Sequence, residues 1–269
     1  MTLTIALPWF RGRRVPPADR SQARFTRVLK SAVAGTRYAR EYDRGADGYA
    51  QLPRVDLLEF LCHTERYAVA NQKVPRERLF YPLGEAPRTA VVARRVEETR
   101  RVRRFSGLRA EGLAAYGPHV LAAPLDALRA ARAEPVAHPP LRNALIVFTG
   151  VLEGPLTPQD SDDLWRRYQV PVFEQFLGMD GELLAWECEV HHGLHVRESA
   201  AHFEGAEGDR LLVSFLANPR LPVLRLETGL TGRLVSEPCP CGDSAPRLVD
   251  MRRRTVRRAT SVMAMAATA

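Results

Sequence analysis

The sequence predicts an α/β protein in which a βαβ unit is followed by a mostly β region. Three observations carry this. "NALIVFTG" (143–150) is a short apolar run ending in Gly150, the form of a strand buried on both faces. "LTPQDSDDLWRRYQ" (156–169) is a helix with its start written out, and "VPVFEQF" (170–176) is a second apolar run. Strand, helix and strand in that order favour parallel pairing, because a parallel connection needs a crossover. Beyond Gly181 the pattern changes to short strands, so that region is expected to be mostly β.

In chain order, residues 1–20 read as a loose arm with arginines and Pro16–Pro17. From Arg20 to Ala34, Ala23, Phe25, Val28, Leu29 and Val33 recur at helical spacing, and Gly35 ends the helix. Residues 52–61 read as a turn and a short helix with Asp56 near its positive N-terminal end. Pro75, Pro82 and Pro87 make 75–90 irregular, and 91–104 is a strand or helix with a charged face. Pro135, Pro139 and Pro140 mark a boundary. In the 156–169 helix Thr157 is placed to cap, Pro158 suits the first helical position, and Asp160 sits where a capping-box acid belongs. Leu164, Trp165 and Tyr168 supply its apolar face. Strands are expected at 182–190, 194–198, 210–216, 222–227 and 233–236. This gives three regions: a helical and irregular segment at 1–140, the α/β-to-β segment at 141–250, and a basic tail at 251–269 that is expected to be disordered or a frayed helix.

Composition narrows the class. With 45% hydrophobic residues the 269-residue chain can bury a core without disulfide staples, and 26% charged residues argue against wholesale disorder. No apolar run is long enough to span a bilayer. The apolar start precedes its arginines, the reverse of a secretory signal, so a cytoplasmic location is expected. The formal net charge is +8, and Lys30 and Lys73 are the only lysines. Such a balance suits either an anionic partner or a solvated basic surface.

Three of the four cysteines lie late in the chain: Cys188 in "ECEVHHGLH", and Cys239 and Cys241 in "CPCG". Three thiolates and one imidazole form a common structural zinc set, with His195 as the fourth ligand and His191 or His192 as substitutes. Four protein ligands leave no open position, so such a zinc is structural. The competing reading is a buried core thiol at Cys188 and two exposed turn cysteines. Glu187 and Glu189 flank Cys188 and either orient a ligand histidine or stay solvated. Cys62, next to His63, reads as a buried thiol, and Trp165 and Trp186 read as core.

These same residues carry a family resemblance. Residues 155–250, with Glu187-Cys188-Glu189, Gly193-Leu194-His195 and Cys239-Pro240-Cys241-Gly242, resemble the later half of the large domain of the phenylacetate–CoA ligase family, which are adenylate-forming enzymes of the AMP-binding superfamily. The stretch "RYAREYDRGADGYAQLPRVDLLEFL" is similar to the family's N-terminal part. The resemblance implies a partial ligase-like large domain and a zinc held by Cys188, His195, Cys239 and Cys241. It also implies a shortened, degenerate member, about half the family's length, with a central part around 75–140 removed.

Several parts of the family's adenylation machinery are altered. The Ser/Thr/Gly-rich phosphate loop, in which backbone N–H groups approach an anion, has no counterpart in the sequence. The Tyr-Gly-x-Ser/Thr-Glu motif reads Phe176-Leu177-Gly178-Met179-Asp180, with Glu182 nearby. Arg225 and Thr228 of a second motif are retained, but the ribose-binding aspartate aligns with Leu230 and Glu227 replaces a basic residue. No lysine lies beyond Lys73 to supply the family's catalytic lid. By this resemblance Asp180, Glu182, Arg225 and Thr228 are vestigial nucleotide-site candidates, and no residue is singled out as catalytic.

Three functional classes follow. The first is a zinc-binding accessory or binding protein without acyl–CoA ligase activity of its own, acting with a protein partner or a second copy of the chain. The second is a subunit of an ATP-dependent acyl–CoA ligase completed by a partner chain, which would use ATP, Mg and CoA. The third is a basic nucleic-acid binder using Arg252, Arg253, Arg254, Arg257 and Arg258. It ranks last because no aromatic residues interleave these arginines.

Overall fold

The structure, a computed structural model, describes Val28 and residues 52–74, 76–92, 94–131 and 140–254. The expected helix at 20–34 and the tail from residue 255 onward lie outside the described residues, apart from Val28, which is helical.

The first described element is helix α1 (Leu57–Cys62). Asp56 caps it by accepting the amides of Leu58 and Glu59 at 2.8 and 3.0 Å. Then come β1 (Thr89–Val92), β2 (Val102–Phe105), the one-turn α2 (Leu113–Tyr116), β3 (Val120–Pro124) and α3 (Leu125–Ala130). The βαβ unit follows as β4 (Ala144–Gly150), α4 (Pro158–Tyr168) and β5 (Val172–Leu177). The remaining strands are β6 (Leu183–Glu187), β7 (Leu194–Val196), β8 (Ala201–Ala206), β9 (Arg210–Phe215), β10 (Leu226–Val235) and β11 (Arg247–Arg253).

The eleven strands of the described residues join one sheet in the order β2-β1-β3-β4-β5-β6-β7-β11-β10-β9-β8. The first five run parallel, with Leu145 opposite Val172 and Val120 opposite Ala144. From β5 onward every pairing is antiparallel. The change of mode falls where connections become too short for a crossover helix: β5 and β6 are joined by a tight turn through Gly181, at φ +86°.

Each residue of β4 is buried, as its unbroken apolar run requires of a strand covered on both faces. Leu145 and Val147 pack with Leu164, Tyr168 and Val172 on the α4 side, and Ile146 and Phe148 pack with Phe173 and Val91 on the other. A third cluster, built around Phe60, Phe176, Leu184, Phe215 and Leu226, holds the antiparallel half together. Helix α4 begins as written in the sequence. Thr157 accepts the Asp160 amide at 3.1 Å, and the Asp160 carboxylate accepts the Thr157 amide.

Several expectations need correction. Residues 89–124, in a region expected to be helical and irregular as a whole and strand or helix over 91–104, supply three parallel strands, so one sheet runs across residue 140 where the prolines marked a boundary. The stretches 222–227 and 233–236 were expected as two strands. Residues 222–225 are loop, and 226–235 is one continuous strand. Strand β8 was not foreseen, nor was β11, which takes Met251–Arg253 out of the expected tail. Trp165 is 53% exposed and Cys62 is exposed, because α4 and α1 each pack only one stripe and both residues fall off it.

Candidate metal centre

Cys188 follows the end of β6, and the chain turns back through His191, at φ +56°, and Gly193, at φ +93°. A side chain at Gly193 would lie 2.5 Å from the Leu248 carbonyl oxygen, so glycine is what lets this turn lie against β11. The turn delivers His195 to the middle of β7, opposite Trp186 on one side and Arg247 on the other. The Trp186 ring stacks over the imidazole at 5.7 Å, and His195 is wholly buried.

Cys239 and Cys241 lie in the loop between β10 and β11. This loop is a compact knuckle in which the Gly242 amide donates to Cys239 O at 2.9 Å and the Cys239 amide donates to Asp243 O at 3.1 Å. Because β11 pairs with β7, the knuckle sits above His195. The ligand atoms of Cys188, His195, Cys239 and Cys241 all lie within 4.8 Å of one another.

Two distances test whether a metal ion fits. The Cys188 and Cys239 sulfurs are 3.8 Å apart, and Cys241 Sγ is 3.5 Å from His195 Nε2. A tetrahedron with Zn–S of about 2.3 Å and Zn–N of about 2.0–2.1 Å has S···S edges of about 3.8 Å and S···N edges of about 3.6 Å. The protonation chemistry agrees. Burial pushes the Cys188 thiol up to about 12 and raises that of Cys241, so without a cation these two thiols favour their protonated form. Burial lowers the His195 value, which favours the neutral imidazole that a metal ligand needs.

The other histidines are engaged elsewhere. His191 Nδ1 lies 3.0 Å from Glu187 Oε1, and its ring stacks on Phe173. His192 is exposed, and its carbonyl accepts from Arg247. Glu187 thus orients His191 rather than His195, with its second oxygen accepting the Glu174 amide at 2.9 Å.

A cavity of about 640 Å³ opens beside the centre, lined in part by Glu174, Glu187, His191, Arg233, Arg247 and Asp250. Glu174 is buried there. It accepts from Thr149 Oγ1 at 2.6 Å and from the Leu156 amide at 3.1 Å. Burial outweighs these bonds and raises its carboxyl to about 7.

The four nucleotide-site candidates are all spent on internal bonds. Asp180 accepts from Arg220 Nε at 2.9 Å and Asn218 Nδ2 at 3.0 Å, and Glu182 accepts from the same Asn218 amide at 3.1 Å. Burial raises the Glu182 carboxyl. Arg225 donates to Glu204 at 2.7 Å and to the Leu52 carbonyl at 2.6 Å, which clamps the segment before α1 onto β10. Thr228 is buried and donates to Leu211 O at 2.8 Å. Leu230 is part of the hydrophobic core.

A charge cluster around the buried Arg94 escaped the sequence reading. Glu77 lies 3.6 Å from Arg94 and 2.8 Å from Arg197. Arg94, buried over the Phe148 ring, donates to Gly181 O at 3.0 Å, and burial lowers it to about 10. These groups are far apart in sequence, so no local spacing announces them.

Among the described residues no helix is long and apolar enough to cross a membrane. No family model and no curated protein matches this sequence. Solved structures do match. An open conformation of 2-hydroxyisobutyryl-CoA ligase in complex with 2-HIB-AMP and CoA is similar at a TM-score of 0.65 and 16% identity, over 91% of this chain and 78% of that one. The same ligase in the postadenylation state with R3-HIB-AMP gives 0.64 and 16%, over 93% and 72%. Its thioesterification state with 2-HIB-AMP and CoA gives 0.64 and 15%, over 89% and 69%. At this identity the likeness establishes the fold, that of part of an adenylate-forming ligase. The finer resemblance to phenylacetate–CoA ligases rests on the sequence motifs alone.

Proposed function

We propose that this chain is a zinc-binding protein of the adenylate-forming fold, related to the phenylacetate–CoA ligases, that serves as an accessory or binding protein and has no acyl–CoA ligase activity by itself. The observation that carries the reading is the convergence of three sulfurs and one imidazole nitrogen within 4.8 Å. Zinc, when bound, supplies a closed structural cross-link and no catalytic position. Cys188 and His195 would tie β6 and β7 to the Cys239–Cys241 knuckle, which joins the β10–β11 ribbon to the rest of the sheet. Such an ion contributes on the order of 10 kcal/mol to ordering the segments it joins.

The absence of ligase activity is argued from how the chain uses its residues. Adenylyl transfer depends on groups placed around phosphates and a metal. Asp180, Glu182 and Arg225 neutralise or bond other parts of this protein, Thr228 is bonded to the backbone, and Leu230 offers no acceptor for a ribose hydroxyl.

Elemental analysis of the purified chain, with ATP titration by calorimetry on the same sample, tests both halves. One zinc per chain and no heat of ATP binding are expected. ATP binding would overturn the accessory reading. A metal-free chain with the four ligands reduced and intact would overturn the zinc reading.

A further inference from the structure

We propose that Asp243 is the positioning residue of the metal centre, the carboxylate that takes the Nδ1–H of His195 and so presents Nε2 to the ion. This rests on the zinc reading above.

The argument starts from a buried atom without a partner. His195 is wholly buried, and its Nδ1 has no hydrogen-bond partner. Its other nitrogen, Nε2, faces the sulfurs, 3.5 Å from Cys241 Sγ. A neutral imidazole carries one N–H, so an Nε2 that ligates a metal leaves the proton on Nδ1. That N–H is cut off from water and needs an acceptor. Asp243 Oδ2 stands 3.9 Å away, about 1 Å beyond hydrogen-bond length.

Asp243 is itself held by the knuckle. Its backbone carbonyl accepts the Cys239 amide at 3.1 Å, and its Oδ1 accepts the Ala245 amide at 2.9 Å. With Oδ1 so engaged, Oδ2 is the oxygen left for the imidazole. The same residue therefore braces the loop that carries two sulfurs and orients the nitrogen ligand beneath it. Of the charges acting on the ring, Asp243 weighs most, ahead of Arg247 and Glu189. Trp186 stacks on the ring face, and Arg247 spends its terminal nitrogens on the carbonyls of His192 and Glu237.

Asp243→Asn isolates this role. The amide oxygen can keep the Ala245 bond, but the group then facing Nδ1–H is an NH₂, a donor against a donor. The test uses the full chain and compares the parent with Asp243→Asn and Asp243→Glu. Zinc affinity is read by chelator competition, the ligand set by cobalt(II) absorption, and the Nδ1 proton by ¹⁵N–¹H NMR. Asp243→Asn is expected to bind zinc 10–100-fold more weakly with the Cys₃His cobalt spectrum retained and faster Nδ1–H exchange. Asp243→Glu should recover part of the affinity.

A parent that binds one zinc while Asp243→Asn binds it equally tightly, with an unchanged Nδ1–H, overturns this proposal and leaves the zinc reading standing. A parent that binds no zinc overturns both. If Asp243→Asn does not fold, the parent alone decides: an Nδ1–H protected from exchange and shifted downfield by a carboxylate supports the proposal, and a rapidly exchanging one overturns it.

Discussion

Replacing Glu174 by glutamine should make the protein more stable at neutral pH and nearly unchanged in acid. The folded chain raises this carboxyl from 4.5 to about 7, mainly because burial disfavours the carboxylate. A raised value means that the folded state holds the proton more tightly than the unfolded state. Stability is therefore lost as pH rises from about 4.5 to about 7, and the loss is complete above that. Linkage with these two values puts the cost at about 1 kcal/mol near pH 5, rising to a plateau of about 3 kcal/mol at neutral pH and above. Glutamine keeps an oxygen for the Thr149 hydroxyl and the Leu156 amide but has no charge to bury. Urea unfolding of parent and variant across pH 5 to 8 measures the difference directly, and zinc release at the acid end affects both alike. A stability difference that does not change with pH, or that shrinks as pH rises, would refute the reasoning.

Four other outcomes follow from particular contacts. Gly193→Ala would place a Cβ 2.5 Å from Leu248 O and 2.7 Å from Val249 Cγ1, so it should cost more than about 2 kcal/mol in urea unfolding and loosen zinc by misplacing His195; near-parental values would contradict the packing of this turn. Arg94→Met removes one of two cations from Glu77, which keeps Arg197, and loses the bond to Gly181 O, so it should cost about 1.5–3 kcal/mol, while Glu77→Gln combined with it should restore part of the loss in a double-mutant cycle. Thr157→Ala should cost about 1 kcal/mol through the lost cap. The bond from Arg129 holds the neighbouring Asp160 carboxyl down at about 2, so its contribution is present above its usual 3.8 and fades as pH falls toward 2; acid unfolding of Asp160→Asn should lack that step.

The elements that could be read from the chain alone are those whose causes are local. Helix α4 starts where Thr157, Pro158 and Asp160 make it start, since a cap and its partner lie three residues apart. Strand β4 was legible because burial on both faces demands an unbroken apolar run. The metal quartet was legible for a chemical reason: three cysteines and a histidine in two short motifs are rare enough to stand out at any separation. Spacing left His191, His192 and His195 as alternatives, and only the pairing of β7 between β6 and β11 turned His195 toward the sulfurs.

What the tertiary structure alone decided is who meets whom across long separations. Strands β1 to β3 hide in an arginine-rich, proline-broken segment and exist as strands because β4 offers them a buried edge to pair with. Arg94 finds Gly181 across 87 residues, and Arg225 finds Leu52 across 173. The sequence alone therefore determined the local start and stop signals and the kind of atoms available for a metal. The folded sheet determined their positions: it brought four of those atoms within reach of one ion, and it consumed Asp180, Glu182, Arg225 and Thr228 in bonds of its own. Caps and hydrophobic periodicity act over a few residues, whereas hydrogen-bond partners and burial are set by strand pairing, which has no fixed range along the chain.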